Sequence, residues 1–128
     1  MFKHTKAFSG FSVDDLQKAK TFYSETLGVN VTNNPMGIIE LNFIGRNNVI
    51  VYPKTNHIPA TYTILNFPVI NIEEAVNTLT SKGVYFEQYS GGIQTDEKGI
   101  CRNEGHSIAW FKDPAGNILS VIEETSNS

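Results

Sequence analysis

The sequence predicts an α+β fold built from two tandem modules, each a strand, a helix and three further strands. Three observations carry this expectation. Phe11, Val13, Leu16 and Ala19 recur as Phe67, Val69, Ile72 and Ala75 at a constant offset of 56, the self-similarity of a duplicated unit. A helix-length stretch follows the first strand of each copy, opens on a capping residue and closes on a glycine, Gly28 or Gly83. The run Ala109 to Glu123, AWFKDPAGNILSVIE, sets two short apolar segments around Asp113-Pro114-Ala115-Gly116-Asn117. Asp-Pro starts a turn, Gly and Asn tolerate its reversal, and the result is a β-hairpin.

The elements follow in order. Residues 7–13 alternate as a strand, with Phe8, Gly10 and Ser12 on one face and Phe11 and Val13 on the other. A helix over 14–28 begins at Asp14 as N-cap with Gln17 at the capping-box position, and Leu16, Ala19, Phe22, Tyr23 and Leu27 form its apolar stripe. Residues 29–32 make a short strand that Asn33-Asn34-Pro35 breaks, and 38–44 with 49–52 make a hairpin. A proline-bounded connector, 53–59, leads to the second copy: strand 61–69, helix 71–83 capped by Asn71 with Glu74, strand 84–89, and the hairpin of 107–112 with 118–122. The polar, glycine-rich stretch 90–105 reads as a long loop, either a lid or a mobile surface segment.

Composition narrows the function. At 128 residues the chain is expected to be a single domain made of modules at about 7–53 and 61–123. A net charge of −3 and scattered Lys and Arg give no electrostatic reason to bind nucleic acid. Cys101 is the sole cysteine, so there is no internal disulfide and no thiolate metal cluster, which fits a reducing, cytoplasmic home. No stretch approaches a membrane span and no apolar segment follows the charged N-terminus, so neither a membrane partner nor a signal peptide is expected.

The tandem βαβββ order, the Val13-Asp14-Asp15-Leu16 to Leu27-Gly28 run and Trp110-Phe111-Lys112-Asp113-Pro114-Ala115-Gly116-Asn117 together resemble the vicinal oxygen chelate superfamily, the group of glyoxalase, bleomycin resistance proteins and extradiol dioxygenases. The Thr95 to Ile100 loop is similar to that of small bacterial glyoxalase-like members. The likeness runs from about Ala7 to Glu123. It implies that the modules form a curved mixed β-sheet cup with the helices outside. It also implies a divalent metal in catalytic members, held by one residue on the first and one on the last strand of each module. Those positions fall on Phe8, Val51, Ile64 and Ser120, the second by matching Asn48 to Asn117. Three lack a lone pair and the fourth is a neutral hydroxyl, a poor set for a divalent ion. No metal ligand, cofactor or catalytic residue is therefore assigned.

Strand parity from those positions predicts one concave, mainly apolar ligand-binding cavity lined by Phe8, Gly10, Ser12, Val51, Ile64, Asn66, His106, Ile108, Trp110 and Ser120. His4 and His57 read as solvated residues, and His106 reads as a polar group of that wall rather than a base. Glu40 is a candidate partner for His106 or an outward polar residue. Asp96 and Glu104 read as solvated loop carboxylates, and Cys101 as an ordinary thiol. Two functions from different classes fit. One is a metal-free protein that binds a small, partly aromatic or amphipathic molecule to sequester or sense it, as the bleomycin resistance resemblance implies. The other is a metal-dependent lyase, isomerase or dioxygenase of the same superfamily. The missing donors favour the first. The expected partners are that small-molecule ligand and a second copy of the chain in a homodimer.

Overall fold

A computed structural model describes residues 1–103 and 105–124. The chain divides into two compact units, Met1–Pro59 and Ala60–Ser128. In the first, β1 (Gly10–Val13) is followed by α1 (Leu16–Thr21), β2 (Asn30–Asn34), β3 (Ile38–Asn42) and β4 (Val49–Pro53). In the second, β5 (Thr63–Pro68) is followed by α2 (Ile72–Ser81), β6 (Ile100–Asn103), β7 (His106–Lys112) and β8 (Ile118–Glu124). The sheets have equivalent orders, β1-β4-β3-β2 and β5-β8-β7-β6, and in each the first and last strands of the module run parallel while the other pairs are antiparallel. This is the expected α+β repeat. Among the described residues no helix is long and apolar enough to cross a membrane.

Each sheet buries one face under its own helix. In the first unit the register aligns Phe11 with Val51, Val51 with Ile39 and Val49 with Leu41, and the four aliphatic side chains are almost fully buried. Tyr23 closes this core, its ring 5.9 Å from that of Phe11. In the second unit Leu65 with Leu119, Phe67 with Val121, and Phe111 with Leu119 make the matching layer beneath Ile72 and Val76 of α2. Each large side chain removed from water here stabilises the fold by about 1.5–3 kcal/mol before ordering costs. The Ile72 amide at the start of α2 donates to Glu123 Oε1 at 2.7 Å, tying the helix to β8.

Four local expectations change. Asp15, not Asp14, caps α1: its carboxylate accepts from the Lys18 amide at 3.1 Å, while Asp14 accepts from the Asp15 amide. Asn71 caps α2 as expected, accepting from the Glu74 amide at 3.0 Å. The first helix leaves α geometry for a π turn over Phe22–Thr26, with the Leu27 amide on the Phe22 carbonyl. The wide turn absorbs the one residue by which the Ala19–Gly28 interval exceeds Ala75–Gly83. Residues 84–89 form only an isolated bridge, Phe86 to Phe111. The strand beside β7 is instead β6, at the end of the stretch expected to be loop, where Ile100 and Cys101 are buried; Val84 and Phe86 are also buried, but only Phe86 bridges to β7. Finally β2 runs through Asn33 and Asn34, which pair with Ile39 and Ile38 instead of breaking the strand.

Two turns organise the second unit. Asp113 is buried; its Oδ1 accepts from the Ala115 and Asn117 amides at 3.0 and 2.8 Å, and its Oδ2 from Asn117 Nδ2 at 3.1 Å. Asn117, also buried, accepts from the Ala60 amide. The sharpest sequence motif is thus an internal brace for the β7–β8 hairpin. Asp96, expected to be merely solvated, holds a second turn by accepting from the Lys98 and Ile100 amides, both at 2.9 Å.

Candidate functional site

The face of the second sheet turned away from α2 carries most of the expected site residues of that unit. Trp110 is paired with Ser120 across β7 and β8, and Ser120 with Asn66 across β8 and β5. The three side chains therefore form a row over three adjacent strands. Ile108 and His106 continue it along β7, opposite Ile122 and Glu124, with Cys101 and Asn103 of β6 beside them. The row exists because the strands alternate: Ala109, Phe111, Leu119 and Val121 go to the helix side, which releases their neighbours to the other face.

Polar groups are arranged asymmetrically along the row. Ser120, fully buried, donates its hydroxyl to Asn66 Oδ1 at 2.5 Å, and Asn66 is exposed. Trp110 Nε1 donates to Thr63 Oγ1 at 3.2 Å. The Tyr89 ring stands edge-on to the indole, 5.6 Å between centroids at 72°. Burial, and secondarily the Glu87 carboxylate, pushes the Tyr89 phenol up, so it stays neutral at ordinary pH. Lys112, on the same face, lies 3.9 Å from Glu87, which offsets its charge. Asn103 Nδ2 approaches the buried Cys101 Sγ at 3.6 Å.

Ile64 does not join the row in register. The β5–β8 pairing shifts between Thr63 and Leu65, so Ile64 has no paired partner on β8. That irregularity also brings Thr63 onto the face of Ser120 and Trp110, where strict alternation would have turned it away. Thr63 and Tyr89 are the site residues that the sequence reading missed. Only the bulge could have signalled the first, and Tyr89 belongs to no strand.

The first unit has its own face opposite α1. Gly10 and Ser12 of β1 lie there with Ile50 and Tyr52 of β4 and Glu40 of β3. Val51 does not: it is 0% exposed and lies with Phe11 and Ile39 under the helix. Matching Asn48 to Asn117 misplaced it by one residue. Phe11 pairs with Val51 as Phe67 pairs with Val121, so Val51 corresponds to Val121 and Ile50 to Ser120. Phe8 precedes β1 and is 64% exposed. His57, read as a solvated connector residue, is part-buried with Nδ1 2.7 Å from Ser12 Oγ. Glu40 is held within its own unit, Oε2 accepting from Asn34 Nδ2 at 2.9 Å and Oε1 from Asn48 Nδ2 at 2.8 Å. Those two bonds, Asn34 first, hold its carboxyl below the usual glutamate range against a smaller opposing effect of burial. A cavity of about 240 Å³ beside α2, bounded by Val76, Val84, Phe86 and Lys98, contains none of the expected site residues.

The comparisons with known proteins concern the fold. No family model matches the chain, and no curated protein sequence matches it. Solved structures do. TnmS3, an antibiotic binding protein from Streptomyces sp. CB03234, superposes with a TM-score of 0.73 at 18% identity, covering 98% of this chain and 99% of that one. A protein ascribed to the glyoxalase family from Bacillus anthracis gives 0.70 at 19%, covering 98% and 100%. A member of the glyoxalase/bleomycin resistance protein/dioxygenase superfamily from Sphaerobacter thermophilus gives 0.67 at 25%, covering 97% and 100%.

A divalent metal of the kind this fold can carry does not fit the residues present. On β5 and β8 the outward groups are the amide of Asn66 and the hydroxyl of Ser120, neutral and bonded to each other. On β1 and β4 they are Gly10, Ser12, Ile50 and Tyr52. Among the described residues no three His, Cys, Asp or Glu side chains are grouped as a metal would require.

Proposed function

Because the chain has the fold of the glyoxalase/bleomycin resistance protein/dioxygenase superfamily, the vicinal oxygen chelate fold, we propose that it binds a small molecule and sequesters or senses it without transforming it. The observation that carries this reading is the Asn66–Ser120–Trp110 row: a part-exposed indole two strands from an amide whose orientation the buried hydroxyl between them fixes. An apolar wall with a few fixed polar groups is the usual make-up of a small-molecule site. Ile108 and Trp110 would supply affinity by burial, and Asn66 would set orientation. The antibiotic-binding protein of similar fold supports binding in preference to turnover. Gly10, Ser12, His106 and Ile64 belong to the proposal as further contacts, and Phe8 and Val51 are its weakest members given their exposure and burial. Assembly as a homodimer is part of the same proposal, and light scattering should return twice the 14.2 kDa chain mass.

Trp110 is the single tryptophan, so its indole N–H gives one resolved signal in a ¹H–¹⁵N correlation spectrum. A panel of planar aromatic fragments should contain members that shift this signal saturably and that are recovered chemically unchanged. No saturable shift with any fragment at millimolar concentration, or conversion of the bound fragment, would overturn the reading.

A further inference from the structure

The geometry points to a carbonyl oxygen, a hydrogen-bond acceptor, as the polar group of the ligand held at Asn66, with the ligand's planar ring against Trp110. The inference rests on the binding role proposed above and adds which chemistry the site selects.

The end of the Asn66 amide that faces outward decides which ligand group it can hold. Among the described residues, Asn66 is the only side-chain hydrogen-bond partner of Ser120, and Ser120 is fully buried. If Asn66 turned its Nδ2 to Ser120, the serine proton would be left buried without an acceptor, a costly state that native structures avoid. The proton therefore goes to Oδ1, the atom that lies 2.5 Å from Ser120 Oγ, and Nδ2 with its two N–H donors points away from Ser120. Asn66 is exposed, and among the described residues nothing accepts from its Nδ2. The indole donor cannot serve the ligand as well, because Thr63 Oγ1 already takes it, so Trp110 offers an apolar ring. At the β5 end of the row the directed polar valence is thus donation from Asn66. A neutral carbonyl suits it better than a carboxylate, since the Lys112 ammonium on this face sits near Glu87. A ligand presenting only donors or a cation would meet N–H groups with no acceptor between them and lose its own hydration.

Three probes of nearly equal shape test this: the methyl ketone of naphthalene, ethylnaphthalene, and naphthylmethylamine, which is a cation at neutral pH. Binding to the whole chain is followed by the Trp110 indole signal and by the Asn66 side-chain amide signals. The ketone should bind about tenfold more tightly than the hydrocarbon, one neutral hydrogen bond's worth, and should move both Asn66 amide protons. The amine should bind more weakly than either. Asn66→Asp replaces donors by acceptors at an exposed position and should invert the ketone-to-amine order; a purely structural role for Asn66 would weaken all three alike. Equal binding of ketone and hydrocarbon, with the Asn66 signals unmoved, overturns the acceptor assignment and leaves the binding role standing. Failure of all three probes to shift the indole overturns both.

Discussion

Ser120 and Asn66, 54 residues apart in the chain, are joined side chain to side chain at 2.5 Å across the parallel β5–β8 pair. The contact is possible because the module's first and last strands are neighbours, a topology both units share. It couples a fully buried hydroxyl to an exposed amide, so the interior of the second unit decides how its surface is presented. The equivalent pair in the first unit, Gly10 and Ile50, carries no polar atom in its side chains. The duplicated sheets therefore present different chemistry on their outward faces.

Asp113→Ala should destabilise the protein by about 2–4 kcal/mol. The substitution removes a buried carboxylate that accepts from the Ala115 and Asn117 amides and from Asn117 Nδ2, so the buried Asn117 loses that acceptor. Asp113→Asn retains one acceptor oxygen and should lose less. Urea unfolding followed by circular dichroism measures both. Equal stability of Asp113→Ala and the natural chain would mean that the turn, and not its carboxylate, holds the hairpin.

How far the sequence was legible follows from such particulars. The repeat could be read because Phe11 and Phe67 each start a buried layer, and a layer tolerates few substitutions that change its parity. The β7–β8 hairpin could be read because Asp113 to Asn117 pin its register; the expected co-facial set of His106, Ile108, Trp110 and Ser120 lies on one face. Val51 was misplaced because the first hairpin turn lacks that five-residue brace, so the aligned asparagines are one residue out of step. Thr63 could not be anticipated, since a bulge breaks the alternation on which parity depends. β6 was concealed because its polar half, Arg102 and Asn103, resembles the loop before it, and only Ile100 and Cys101 are buried.

Gly99→Ala should cost about 1–3 kcal/mol. Gly99 has φ of +89°, and a Cβ there would lie 2.8 Å from Phe86 Cβ and 3.0 Å from the Glu87 carbonyl oxygen. Phe86 packs on Phe111 in the core, so it has little room to withdraw. The strain should fall on the Asp96 turn and on β6 behind it. Hydrogen exchange would show faster exchange of the Ile100 amide, which Asp96 holds. Unchanged melting and unchanged exchange would refute the close approach.

Purified protein should carry no stoichiometric zinc, nickel, iron or manganese. The motivation is chemical: Asn66 and Ser120 are neutral and mutually bonded, and Ile50 at the position corresponding to Ser120 has no donor. Inductively coupled plasma mass spectrometry after dialysis provides the test. About one metal per chain, lost on Ser120→Ala or Asn66→Leu, would place a metal on this face and reopen the enzymatic reading.

Glu40 should titrate below the usual glutamate range and contribute to acid sensitivity. Its two oxygens accept from Asn34 and Asn48, bonds that favour the carboxylate over the acid. The folded-state value is therefore depressed relative to the unfolded chain. By linkage, the stability it supplies is fully present above the unfolded glutamate value and is lost as pH falls through the lower, folded one. The change thus belongs to the acid side of the ordinary carboxylate range, with nothing expected near neutrality. Nuclear magnetic resonance titration of the Glu40 carboxyl carbon should give a lower midpoint in the natural chain than in Asn34→Ala, because the Asn34 bond is the larger cause. The stability difference between the two proteins should be constant near neutrality and close progressively as Glu40 is protonated in acid. Coincident midpoints would show that the two amides orient the carboxylate without stabilising its charge.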